Sequence, residues 1–207
     1  MIKEACVETF GEAIRAEKQG ADRIELCSDL KNDGLTPTPD LMKKTCSLLK
    51  IPVMVMIRPR PGNFVYTSAE IQIMKQHIDL AKEAGVAGVV LGLLTPGNQI
   101  DLENTKILAK YADPLPVTFH KAIDVLDNPV EGIKLLKEIK GIKRVLTSGG
   151  KATAKEGSET IRHMIREAGE DIIILVAGKV TDENIEEIQQ LTGGKEFHGK
   201  KIAGQLF

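Results

Sequence analysis

Gly20-Ala21-Asp22-Arg23-Ile24-Glu25-Leu26-Cys27 joins two periodicities. The residues before it repeat apolar positions at helical spacing. Those from Arg23 alternate polar and apolar, as a strand does. A glycine at the junction suits the left-handed turn that ends a helix. The same junction, with a β-rich run starting about four residues after glycine, recurs at Gly85 to Val89, Gly141 to Val145 and Gly169 to Ile173. The four glycines are separated by 65, 56 and 28 residues, so a unit of about 28 residues repeats, twice with one junction skipped. One strand plus one helix has that length.

With this ruler, strands are expected near 2 to 7, 23 to 27, 52 to 57, 88 to 92, 116 to 120, 144 to 148, 172 to 176 and 196 to 198. Helices fall between them, near 11 to 19, 39 to 49, 68 to 84, 101 to 111, 129 to 139, 154 to 168 and 182 to 191. Thr38-Pro39 and Asn128-Pro129 read as helix starts, and Thr67 with Glu70 fits a capping box. Alternating strands and helices require a parallel sheet, and eight strands close into a (β/α)8 barrel, the TIM-barrel class of α/β fold. An open doubly wound sheet is the alternative. It is disfavoured because no G-x-G-x-x-G follows the first strand. Too few residues follow the eighth strand for a full last helix, so that helix is expected to be short or missing. No linker divides residues 1 to 207, which read as a single domain.

The composition narrows the function. The 207 residues are 42% hydrophobic and 28% charged, proportions of a globular core. A net charge of -1 and 3% aromatics supply neither the field nor the stacking platforms for nucleic acid. The longest uncharged stretch, 84 to 100, is broken by Gly85, Gly88, Gly92, Pro96 and Gly97, so no membrane partner is expected. Met1-Ile2-Lys3-Glu4 lacks a secretory apolar run, and the odd set Cys6, Cys27 and Cys46 suits free thiols. A cytoplasmic location is the resulting expectation.

Alternation also sorts the strands by face. Helix-covered positions must be apolar, which assigns Ala5, Val7, Ile24, Leu26, Val53, Val55, Ile57, Val117 and Phe119 outward. The opposite parity sends inward a polar set: Glu4, Cys6, Arg23, Glu25, Cys27, Met54, Met56, Arg58, Thr118, His120, Arg144, Ser148, Glu196 and His198. Buried charges need partners, so Glu4, Glu25, Arg23 and Arg144 are expected to neutralise one another low in the barrel. Cys6 and Cys27 end adjacent strands, where barrel proteins place ligands. Two thiols with the thioethers of Met54 and Met56 nearby suit soft Cu(I); the alternative is two small buried hydrophobes. Cys46 reads as a packing residue.

A second set of residues suggests anion chemistry. Arg58-Pro59-Arg60 has the form of a two-arginine clamp for carboxylate or phosphate, the alternative being an Arg58 to Glu25 ion pair with Arg60 in solvent. Ser148-Gly149-Gly150 and Gly178 resemble backbone cups for phosphate. His120, Asp124 and Glu25 are the candidates for acid and base, so an enzyme acting on a small anionic metabolite is the rival function. His77 and His163, on helices, read as surface residues.

Together these segments carry a family resemblance. Glu4-Ala5-Cys6-Val7-Glu8, Gly20 through Ser28, Gly34-Leu35-Thr36-Pro37-Thr38, Val55 through Arg60, Pro116 through Ala122, Arg144 through Gly149 and Glu196-Phe197-His198 resemble the CutC copper homeostasis family over nearly the whole chain. The resemblance implies a cytosolic barrel, a homo-oligomer of two or four copies, and copper handling through Cys6 and Cys27, and it implies no established enzymatic activity. Two features depart from it. The glycine run after the seventh strand reads Ala177-Gly178-Lys179, and the chain stops soon after His198, leaving a barrel flank for another subunit to cover.

Overall fold

In the computed structural model, which describes residues 1–206, eight parallel strands close a barrel in chain order. They are β1 (Ile2–Val7), β2 (Arg23–Leu26), β3 (Val53–Met56), β4 (Gly88–Leu91), β5 (Val117–Phe119), β6 (Ile142–Thr147), β7 (Ile173–Val176) and β8 (Glu196–Gly199). The intervening helices are α1 (Phe10–Lys18), α2 (Pro39–Leu48), α3 (Ser68–Ala84), α4 (Leu102–Ala112), α5 (Pro129–Lys137), α6 (Ser158–Ala168) and α7 (Ile185–Thr192). No helix among the described residues is long and apolar enough to cross a membrane.

Local chemistry sets the helix boundaries. Thr67 accepts from the Glu70 amide while Glu70 reaches back to the Thr67 amide, the reciprocal cap that starts α3. Thr38 and Asn128 cap α2 and α5 ahead of Pro39 and Pro129. Each such cap stabilises its helix by about 1 kcal/mol. Gly85 ends α3 at φ 75, a conformation glycine adopts without a Cβ clash.

The two faces of the strands separate as the alternation requires. Ala5, Val7, Ile24, Leu26, Val53, Val55, Ile57, Val117 and Phe119 join helix residues such as Met42, Met74, Ile78, Leu108 and Ile161 in the main core. Cys6, Cys27, Met54, Met56 and Val90 form a separate sulfur-rich cluster inside the barrel.

Beneath that cluster lies a charged layer set by register. Glu4 stands opposite Arg23 on β2 and opposite His198 on β8. The Arg23 guanidinium bridges Glu4 and Glu196, and Glu196 also takes Arg144 at 2.8 Å. The expected grouping therefore needs one correction. Glu196, not Glu25, completes it, because the register sets Glu25 beside Cys6, one step further up the barrel.

Beyond β8 no eighth helix forms among the described residues. Instead the tail folds back: Ile202, Ala203 and Leu206 are buried, Arg15 on α1 donates to the Leu206 carbonyl, and Gln19 donates to that of Gln205. The flank expected to await another subunit is thus covered in part by the chain itself.

Candidate metal centre at the barrel mouth

Cys6, near the end of β1, and Cys27, just past β2, face one space at the C-terminal end of the barrel. One ligand atom from each of Cys6, Glu25 and Cys27 lies within 4.8 Å of the others, and all three residues are buried. Cys6 Sγ is 3.6 Å from Glu25 Oε2. His198, from β8, links the trio to the charged layer, with Nδ1 2.9 Å from Glu4 Oε1 and Nε2 3.6 Å from Glu25 Oε2. The three cysteines are free thiols, and Cys46 packs half-buried against the main core.

Electrostatics divide the cysteines. The hydrogen bond with Cys27 holds the Cys6 pKa down to about 5, against the opposing cost of burial and with help from His198. Cys27 moves the other way, its pKa raised by the same hydrogen bond, by burial and by Glu25. Burial pushes Glu25 up to about 8. Burial also opposes charge on His198, but Glu25, Cys6 and Glu4 outweigh it and raise its pKa. The shifts set the two thiols apart, Cys6 toward the thiolate and Cys27 toward the thiol, with the charged form of His198 favoured beside them.

The donor set bears on which metal class these residues could hold. A thiolate, a second thiol and neighbouring thioethers match a soft monovalent cation, and ligation by Cys27 requires loss of its proton. The Glu25 carboxylate adds a harder oxygen donor beside the two sulfurs.

These residues line one end of a cavity of about 420 Å³ that also touches Leu30, Asp33, Arg58, Phe64, His120, Lys121, Asp124 and Lys200. Leu30, Phe64 and Lys200 went unread in the sequence; they come from loops with no periodic signal. His120 is 4% exposed and fits because Gly92 carries no side chain: a Cβ there would sit 2.4 Å from His120 Nδ1. Burial and the nearby Arg58 charge push its pKa down to about 3, so it is a neutral imidazole.

The residues expected to clamp an anion are engaged elsewhere. Arg58 is buried and donates to the carbonyls of Asn32, Gly34 and Gly62, with its Nε left unpartnered, and it forms no ion pair with Glu25. Arg60 is held by Glu70 at the start of α3 and by the carbonyl of Val65 at 2.6 Å. The Ser148-Gly149-Gly150 segment instead holds a carboxylate of the chain itself, that of Asp124. That carboxylate accepts from the amides of Ser148 and Gly150 and from the hydroxyls of Thr147 and Ser148. Gly149 donates its amide to Thr147 Oγ1 instead. Asp124 reaches the cup from a 3-10 turn, Lys121–Val125, which the sequence did not reveal. It makes no hydrogen bond to His120, whose Nδ1 accepts from the Ala122 amide. Of the helical histidines, His163 is exposed, whereas His77 is half-buried with an unpartnered Nδ1.

Comparison with known proteins agrees with this geometry. The CutC family model matches residues 1–203. The human "Copper homeostasis protein cutC homolog" is 42% identical over 197 residues, covering 95% of this chain and 72% of the human protein. A family protein CutC of Xanthomonas campestris pv. campestris (strain 8004) is 40% identical over 195 residues, 94% of this chain and 81% of the bacterial one. The crystal structure of CutC from Streptococcus agalactiae superposes with a TM-score of 0.93 at 36% identity, over 98% of this chain and 99% of that one. An aldolase, QR15, superposes at 0.73 with 13% identity, covering 100% of this chain and 92% of its own, a likeness of fold alone. Sequence, barrel and inward-facing cysteines lead to one statement: this chain belongs to the CutC family.

Proposed function

We propose that this protein is a cytoplasmic copper homeostasis protein that takes Cu(I) as cargo between Cys6 and Cys27, with Met54 or Met56 assisting and Glu25 closing the remaining side. The observation that carries this reading is the buried trio of Cys6, Glu25 and Cys27, with ligand atoms within 4.8 Å of one another. Membership of a family whose human representative is named for copper homeostasis supports the choice of metal. The three free thiols suit a reducing compartment. His198 serves the site by stabilising the charge of the Cys6 thiolate before the metal arrives.

A titration with Cu(I) against a competing chelator, under reducing and oxygen-free conditions, tests the proposal. One equivalent should bind, and Cys6→Ser with Cys27→Ser should abolish the competition. Unchanged affinity in the double variant refutes the assignment.

A further inference from the structure

The mouth of the barrel holds more space and more positive charge than a single copper ion uses. The 420 Å³ cavity shares Cys6, Lys121, His198 and Lys200 with a second one of about 430 Å³, so the two adjoin across these side chains. The second is formed by the loops after β7 and β8. It gathers Lys121, Lys179, Lys200 and Lys201, and no carboxylate lines it. Lys121 has a neighbouring acid, Asp124 at 3.8 Å, whereas Lys179 and Lys201 have no acidic partner among the described residues. Lys179 holds φ 57, a conformation that glycine takes at no cost, so its amine stands where the backbone alone would suit Gly. In barrels of this class the loops after strands seven and eight are a recurrent place for phosphate.

The other end presents an unused donor. His120 Nδ1 accepts from the Ala122 amide, which fixes the proton on Nε2, and Nε2 is buried with no hydrogen-bond partner. A buried donor left unpaired costs about 1–3 kcal/mol. His120 lines the cavity, and a ligand oxygen that reaches Nε2 by a small shift of the covering side chains relieves it.

We infer that the adjoining cavities are a site for a small organic phosphate, its phosphoryl group among Lys121, Lys179, Lys200 and Lys201 and an oxygen of its carbon skeleton accepting from His120 Nε2–H. The site places the cationic end at the lysines rather than at Arg58 and Arg60, and it borders the candidate metal centre at Cys6 and His198.

The test uses copper-free protein, kept so with a Cu(I) chelator and reductant. Calorimetry and thermal melts are run with glycerol 3-phosphate, ribose 5-phosphate and 3-phosphoglycerate, with inorganic phosphate and glycerol as controls. At least one phosphate ester should bind saturably, raise the melting temperature and outbind inorganic phosphate tenfold or more, while glycerol does nothing. Lys179→Gln with Lys201→Gln, both exposed positions, should weaken ester and inorganic phosphate alike by tenfold or more. His120→Phe should erase the preference for the ester and leave inorganic phosphate binding in place. The inference is overturned if none of the three esters binds, if inorganic phosphate binds as well as every ester, or if the lysine variant binds unchanged. Because copper is excluded, these outcomes do not depend on the Cu(I) titration.

Discussion

Replacing Arg23 with Met tests the charged layer that underlies the candidate centre. Arg23 is 6% exposed and its guanidinium satisfies two buried carboxylates, Glu4 and Glu196, the second at 2.6 Å. Removing one partner of a buried pair costs about 3–5 kcal/mol, because the remaining charge stays desolvated. Here neither acid is left alone: Glu4 keeps His198 at 2.9 Å and Glu196 keeps Arg144 at 2.8 Å. The lower bound applies, about 3 kcal/mol, which for a chain of this size is a fall in Tm of roughly 6–12 °C. Urea denaturation followed by circular dichroism, under reducing conditions at pH 8 and pH 5.5, measures it. The sign with pH follows from linkage. In the parent protein Glu4 and Glu196 have lowered pKa values, so their stabilisation is present above the unfolded value near 4.5 and is lost as pH falls below it. Without Arg23 the folded pKa values rise, protonation relieves the buried charge, and stability falls as pH increases through them. The deficit should therefore be larger at pH 8 than at pH 5.5. A loss below about 1 kcal/mol at pH 8, the scale of a surface pair, or a deficit independent of pH refutes the reasoning.

Two further outcomes follow from the site. With its pKa held near 5, Cys6 should react with iodoacetamide at a rate that reaches its plateau by about pH 6.5, while Cys27, whose pKa is raised, stays unmodified up to pH 8; peptide mass spectrometry reads both. Asp124→Ala should destabilise the fold by about 2–4 kcal/mol in the same denaturation assay, since it strips the Ser148 and Gly150 amides and two hydroxyls of one shared acceptor.

The fold and the composition of the barrel interior were legible for a common reason: both rest on short-range periodicity. Glycine junctions and capping residues located all eight strands, and alternation sorted Cys6, Cys27, Met54 and Met56 to one interior cluster. Pairing within the barrel was not legible, because it depends on the stagger between strands distant in the chain. Glu25 was grouped with the arginines, yet the register that sets Glu4 against Arg23 also lifts Glu25 to Cys6, and Glu196 takes its place. The arginines misled because a guanidinium recruited by backbone carbonyls looks, in sequence, like one awaiting a ligand. The Ser148-Gly149-Gly150 segment read as a phosphate cup, whereas here its Ser148 and Gly150 amides hold Asp124, delivered by a turn too short to show a pattern. Lys200 and Lys201 lie past the last periodic segment, where only the tertiary course of the tail gives them a place.

The seam between β1 and β8 brings together residues 194 positions apart, Glu4 and His198. Closing so long a loop is among the slowest pairings a chain makes. It is also the step that delivers His198, Lys200 and Lys201 to Cys6. A ring left open at this seam keeps Cys6 beside Cys27 on the neighbouring strand but without the His198 charge, so the last seam completes the electrostatics of the barrel mouth as well as its wall.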